Sequence, residues 1–457
     1  MRLALLTLLS ASAALAIPPS AKHATLVSSE PAANSRLATA PTKVRLVYSE
    51  PIEGKLAKVS IVPAAGAPIV LRASGDPRDV HAVIAPVDAL GAGTYKVEWR
   101  VVSADGHPVD GSFSFTVGDT TAVAPVAPAA PVAAPQIAQP GPREEPEVWG
   151  PAAFGAPLIP AVLRGTGLGA LAATAGLLLF MAGAKPNAAQ RGDARLRSVT
   201  TAFAIAAPVL LGAHLVTWLI NTSPDLKFDP AWAAAALTTT VGKIELWRVG
   251  LTILALWAWW LARRTRLALL FAAGAVVVSG AVGHSAAIAP AWAVPAKAIH
   301  LLATAVWVGG LLWLLIRPAG DDVVLFAADA DRVSSRALWA VVAVAFTGVV
   351  QTRLFLDSWS GLVTSAYGLL VLAKTAGLLV LVAFGAYNRQ RVMPRLTAAP
   401  DATEVSVLRA SVTREIVVVA IVILLGGLLA YVPPPNETEG GMSSGASVGS
   451  FSQQPTS

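Results

Sequence analysis

The sequence predicts a membrane protein in two parts: an N-terminal all-β sandwich and a C-terminal all-α bundle of eight transmembrane helices. Three observations carry this. The 457-residue chain is 55% hydrophobic and only 13% charged, whereas a soluble domain carries about 25% charge. Residues 23–118 hold short, partly alternating runs broken by Pro and Gly, the pattern of a sheet rather than a helix. Residues 151–433 hold eight apolar runs, each long enough to cross a hydrocarbon core of ~30 Å.

Taken in order, residues 1–22 begin MRLALLTLLSASAALA, one Arg and then an apolar run ending in small residues. That is the form of a secretory signal, with an uncleaved anchor helix as the alternative. In 23–118 the strand candidates are KVRLVYSE, LAKVSIV, APIVL, DVHAVIAPV, TYKVEWRVV and SFSFTV. Residues 119–150 are rich in Ala, Pro and Val without a period, an extended linker that packs no core. The eight spans are expected near 157–184, 199–222, 244–262, 266–283, 294–316, 336–356, 365–388 and 411–432. Residues 434–457 are polar and expected to be disordered.

The net charge of +7 is not a nucleic-acid signal. Its cations fall between spans: Lys185, Arg191, Arg195 and Arg197, then Arg263, Arg264 and Arg266, then Arg317, Arg332 and Arg336, then Arg389, Arg391, Arg395, Arg409 and Arg414. The alternate loops carry little beyond Lys227, Lys243 and Lys297. The positive-inside rule then puts the first set in the cytoplasm, and both termini and the β domain outside. The chain has no cysteine, which excludes disulfides, thiolate metal sites and a Cys nucleophile.

The chemistry-bearing stretch of the β domain is VVSADGHPVDG, where Asp105 and His107 flank Gly106 at a hairpin end. Two ligands make a poor metal site, so a third must come from elsewhere. His81 lies within a strand pattern and reads as a solvated side chain. His23 lies where the leader could end, and cleavage before it would free an α-amine. His23 could then bind a metal twice, through amine and imidazole, with His107 as a second imidazole and Asp105 as an oxygen donor. Nitrogen ligands in a tetragonal set favour Cu(II). The other reading is a turn whose Asp and His only cap backbone groups.

HATLVSSEPAANSRLATAPTKVRLVYSEPIE and YKVEWRVVSADGHPVDGSFSFTV together resemble the periplasmic CopC-type copper-binding domain over nearly its full length. The resemblance implies a Greek-key, cupredoxin-like sandwich in which His23, Asp105 and His107 form a Cu(II) histidine brace. Lys22 departs from a small-residue cleavage site, which Ala14–Leu15–Ala16 fits better, and a cut there would leave His23 without the amine. The four methionines, Met1, Met181, Met393 and Met442, leave no thioether Cu(I) site in this domain.

The remaining histidines, His214, His284 and His300, all fall in the outer half of the expected bilayer, on three helices. Ionisable groups inside spans are costly and usually functional, although separate interfacial histidines are the plainer alternative. GHS, HLLATAVWVGGLLWL and YGLLVLAKTAGLLVLVAFGAYNRQRVMP resemble the CopD-type copper resistance membrane proteins, regarded as inner-membrane copper permeases. The resemblance makes His284 and His300 the best membrane copper ligands and His214 a weaker one. No phosphate-binding loop or phosphorylation motif marks an ATP-driven pump.

The expected function is copper capture in the periplasm and copper import across the inner membrane, with a membrane-anchored copper buffer or sensor as the alternative. An enzymatic role is not expected. The expected partners are copper ions, as Cu(II) outside and as Cu(II) or Cu(I) within the membrane, the lipid bilayer and periplasmic copper donors.

Overall fold

The computed structural model describes residues 24–104, 106–118, 158–183, 194–283, 292–317, 323–356, 358–398 and 401–432. The expected leader, linker and tail lie outside the described residues, as do His23, Asp105 and His284.

Alternation makes the β domain. In Lys43–Tyr48 (β3), Val44, Leu46 and Tyr48 point inward and their neighbours outward. Lys58–Pro63 (β4) and Gly93–Val102 (β8) do the same with Val59, Ile61, Tyr95, Val97, Trp99 and Val101. A side chain of this size contributes about 1.5–3 kcal/mol when fully buried. The other strands are Leu26–Glu30 (β1), Arg36–Leu37 (β2), Ile69–Leu71 (β5), Ser74–Asp76 (β6), Asp79–Pro86 (β7) and Pro108–Val117 (β9). They form two sheets, ordered β1-β3-β7-β6 and β2-β9-β8-β4-β5. The chain crosses between the sheets at every step except β4 to β5, β6 to β7 and β8 to β9, the connectivity of a Greek-key sandwich. One core fills the space between them, with Tyr48 and Trp99 edge to face at 5.3 Å.

Arg45 on β3 bridges Asp76 (3.3 Å) and Asp79 (2.8 Å) across the first sheet. The backbone N–H of Arg78 and then the Arg45 guanidinium hold Asp76 below the usual carboxylate range, and the backbone N–H of His81 and then Arg45 do the same for Asp79. His81 is half exposed beside Asp79, as expected of a solvated strand histidine. The stabilisation from a lowered carboxylate is complete above its unfolded pKa and is lost as the pH falls through its folded value. Arg45→Met should therefore move acid unfolding of the β domain to higher pH, which near-ultraviolet circular dichroism across an acid titration would detect. An unchanged midpoint would mean that the bridge adds nothing.

The helical part contains Leu158–Gly183 (α1), Ala194–Thr222 (α2), Pro230–Leu237 (α3), Thr240–Trp260 (α4), Thr265–Ser279 (α5), Ala293–Ile316 (α6), Val323–Phe355 (α7), Gly361–Thr364 (α8) and Ala366–Tyr387 (α9). A π turn, Asn388–Val392, then leads through Met393–Ala398 (α10) to Ala402–Leu429 (α11). A long helix lies over each of the eight expected spans. Six stretches are long and apolar enough to cross a membrane: α1, α2, α6, α7, the run from α9 through α10, and α11. The third and fourth expected spans fall short of that measure. Helix α4 carries Lys243, Glu245 and Arg248, and α5 has 15 residues, about 22 Å of helix. Helices α7 and α11 begin 13 and 9 residues earlier than their expected spans, at Val323 and Ala402, because polar helical turns extend beyond the apolar run.

Helix α1 is the central post, packed against α2, α5, α6 and α11. Small residues permit this: Gly176 lies against the Gly309 backbone of α6, and Gly165 against Gly427 of α11, with no room for a Cβ at either contact. Glycine at such positions lets helix backbones approach closely within a membrane bundle. The arginine-rich turns share one end of the bundle, where Arg197 stacks on Trp259, Arg336 on Phe180, and Arg389 bonds Ser334. The β domain sits at the other end, where α2 finishes and α4 begins.

Candidate metal centre

The hairpin between β8 and β9 is set by a long antiparallel ladder that ends at Val102 opposite Pro108. Ser103 closes the turn by donating from its backbone N (3.0 Å) and Oγ (3.2 Å) to the His107 carbonyl. Gly106 has φ +92°, a conformation that L side chains rarely adopt. A Cβ there would also come within 3.1 Å of Val241 and 3.3 Å of Trp218, both in the helical domain. The ladder and the glycine together put the half-buried His107 on that domain.

The contact is broad. Trp218 Nε1 donates to the Gly106 carbonyl (3.0 Å), and Arg100 donates to the Asn221 carbonyl (3.1 Å). Lys55 donates to Thr238 Oγ1 (3.2 Å). Glu53 accepts from the backbone N of Thr240 (2.9 Å), the first residue of α4, where a carboxylate suits the helix dipole. Leu56 and Val102 join an apolar cluster with Leu215, Trp218, Leu219, Trp232, Ala236 and Val241. Lys58 lies 5.2 Å over the Trp232 ring.

Beneath His107 is a buried polar group. The His107 ring meets Tyr431 edge-on, with centroids 6.0 Å apart. The Tyr431 hydroxyl lies 2.7 Å from His214 Nε2. On the far side of that ring, Arg248 Nη2 lies 3.0 Å from Nδ1. Arg248 also pairs with Glu245, one turn earlier on α4. Guanidinium only donates, so Nδ1 accepts. A neutral His214 then carries its proton on Nε2 and donates to Tyr431. His214, Glu245 and Arg248 are each at most 1% exposed. The Glu245–Arg248 pair offsets part of the cost of burying both charges, while Arg248 Nε and Nη1 lack hydrogen-bond partners.

His300, on α6, stands apart from this group. Its Nδ1 is 2.9 Å from Thr347 Oγ1 on α7, and it shares no hydrogen-bond partner with His214 among the described residues. Among the described residues no group of three or more His, Cys, Asp or Glu side chains is placed to hold a metal ion. Of the six expected ligands, His107, His214 and His300 are therefore the ones the structure describes. It brings both His107 and His214 against Tyr431.

Sequence reasoning missed Glu245 and Tyr431. Arg248, which pairs with Glu245, is wholly buried. The signal for Glu245 was present in KIELWR, where a carboxylate and a guanidinium stand three residues apart within an apolar run.

Comparison with known proteins follows the same division of the chain. The CopC domain family matches residues 26–118, the Copper resistance protein D-like, N-terminal domain matches 156–291, and Copper resistance protein D matches 327–429. Copper resistance protein C of Pseudomonas syringae pv. tomato is 41% identical over 104 residues, covering 21% of this chain and 80% of that protein. Copper transport protein CutJ of Bacillus subtilis (strain 168) is 26% identical over 391 residues, 80% of this chain and 67% of that protein. A solved CopC structure from Methylosinus trichosporium OB3b is 29% identical, covers 22% of this chain and 100% of that one, and has a TM-score of 0.20. The chain belongs to the copper resistance proteins, with a CopC domain joined in one polypeptide to a membrane domain of the copper resistance protein D type.

Proposed function

We propose that this chain captures copper outside the membrane and imports it. His23, Asp105 and His107 hold Cu(II), and His214, His284 and His300 are its stations within the helical domain. The observation that carries this reading is the relay His107–Tyr431–His214, with rings 6.0 Å apart at the first step and a 2.7 Å hydrogen bond at the second. The likeness to a protein named Copper transport protein supports movement rather than storage. The arginine-rich turns lie at the end away from the β domain, and by the positive-inside rule that end is cytoplasmic. The protein is then a multi-pass inner-membrane protein with its β domain and both termini in the periplasm, where periplasmic donors would load it. Sulfur is scarce in the helices, so copper moves on nitrogen and oxygen donors, which favours Cu(II) over Cu(I).

Both His214 nitrogens are engaged, one by Tyr431 and one by Arg248. His214 accepts copper only after Tyr431 swings away, so this conformation is closed at the relay. That closure is also what a copper buffer or sensor without transport would have. Whole-cell copper analysis separates the two, because import raises cytoplasmic copper on expression and a buffer leaves it unchanged. Mass spectrometry of the mature N-terminus tests the capture site. A chain beginning at His23 supports the brace, and one beginning at Ile17 removes its amine ligand.

A further inference from the structure

The relay does not use the buried carboxylate of Glu415. Glu415, on α11, is 2% exposed. Its Oε1 accepts from Asn388 Nδ2 at 2.5 Å, at the start of the π turn that follows α9. Among the described residues no cation forms an ion pair with it. The nearby cations are engaged or point elsewhere. Arg389 bonds Ser334 and Arg409 bonds the carbonyls of Leu314 and Arg317. Arg391 and Arg414 are exposed, and Lys374 lies beside Gly426, eleven residues farther along α11. A buried carboxylate without a countercharge is costly and is neutralised by whatever it can bind.

Two more oxygens point to what it binds. Asn388 Oδ1 and Ser411 Oγ are both buried without a hydrogen-bond partner. Asn388 is 8% and Ser411 4% exposed. Ser411 lies one turn before Glu415, so the two share a helix face. The donors are a carboxylate, an amide oxygen and a hydroxyl. All are hard oxygens, poorly suited to Cu(I), and their single negative charge suits a monovalent rather than a divalent ion. π turns inside α-helices occur frequently at functional sites.

We infer that Glu415, Asn388 and Ser411 form a binding site for one monovalent cation, a proton or a sodium ion, exchanged as copper moves. The exchange rests on the transport reading above, while the binding does not. Glu415 lies fourteen residues before Leu429, the end of α11, about 21 Å along the helix, and Tyr431 follows two residues beyond that end. Helix α11 therefore joins the cation site to the copper relay and can bias both.

The test uses the full chain purified in detergent without copper. Infrared difference spectra would follow the carboxyl band between wild type and Glu415→Gln, in sodium chloride and in choline chloride at fixed pH. A protonated-carboxyl band that is present in wild type, lost in Glu415→Gln and unaffected by sodium identifies a proton. A band displaced by sodium, with retention of radioactive sodium weakened about tenfold by Ser411→Ala, identifies sodium. No such band together with no sodium retention overturns the site. In reconstituted vesicles, copper uptake by wild type should follow the gradient of that ion and uptake by Glu415→Gln should not, with Cu(II) binding intact in both. If wild type binds the cation but moves no copper, the transport reading fails and the site stands. Copper uptake by wild type that ignores both gradients overturns the exchange.

Discussion

Replacing His107 with alanine should weaken Cu(II) binding by about 100-fold and abolish copper accumulation in cells expressing the protein. Losing an outer-sphere partner of a metal site costs up to about 100-fold, and the loss of a direct imidazole ligand should cost at least as much. The hairpin itself should persist, because its closing bonds come from Ser103 and the His107 backbone carbonyl. A copper titration of the purified chain, followed by electron paramagnetic resonance, measures the affinity and reports how many nitrogens are lost. Unchanged affinity would remove His107 from the site and leave its contact with Tyr431 as packing.

The second large effect is expected at Glu245. Glu245→Ala leaves Arg248 buried without its carboxylate, and Arg248 Nε and Nη1 already lack partners. Removing one member of a buried pair costs about 3–5 kcal/mol. The end of the bundle beside the β domain should loosen, because Arg248 on α4 also holds His214 of α2. A thermal melt in detergent should show a clear loss of stability for Glu245→Ala and a smaller one for Glu245→Gln, which keeps a hydrogen-bond acceptor. Equal melting of Glu245→Ala and wild type would mean that Arg248 finds another countercharge.

Most of the fold was legible because burial imposes periodicity. Strands β3, β4 and β8 have one buried face and therefore alternate. Strands β1 (LVSSE), β2 (RL) and β6 (SGD) lie at sheet edges, where short, polar segments carry no such signal. The early starts of α7 and α11 were hidden for a related reason, since hydropathy marks the span and not the polar turns before it. Helix α3 was not among the expected elements, although Asp229 and Pro230 carry its signal, an N-cap followed by a proline in the first turn.

The site was legible by residue type and not by arrangement. His107, His214 and His300 stand out as rare ionisable groups. The meeting of His214 with Tyr431 joins positions 217 residues apart, and that of His107 with Tyr431 is longer still. No local pattern encodes such contacts. They arise because Gly106 admits the turn close to Trp218 and Val241 and because Glu53, Lys55 and Arg100 fix the β domain at the ends of α2 and α4.

Copper content of the cytoplasmic fraction, measured by elemental mass spectrometry in cells expressing wild type, His107→Ala or His214→Ala, tests delivery through the relay most directly. Delivery through His214 requires that wild type raises cytoplasmic copper and that neither variant does, with His214→Ala still binding Cu(II) as tightly as wild type. Accumulation by His214→Ala at the wild-type level, or none by wild type, would contradict it.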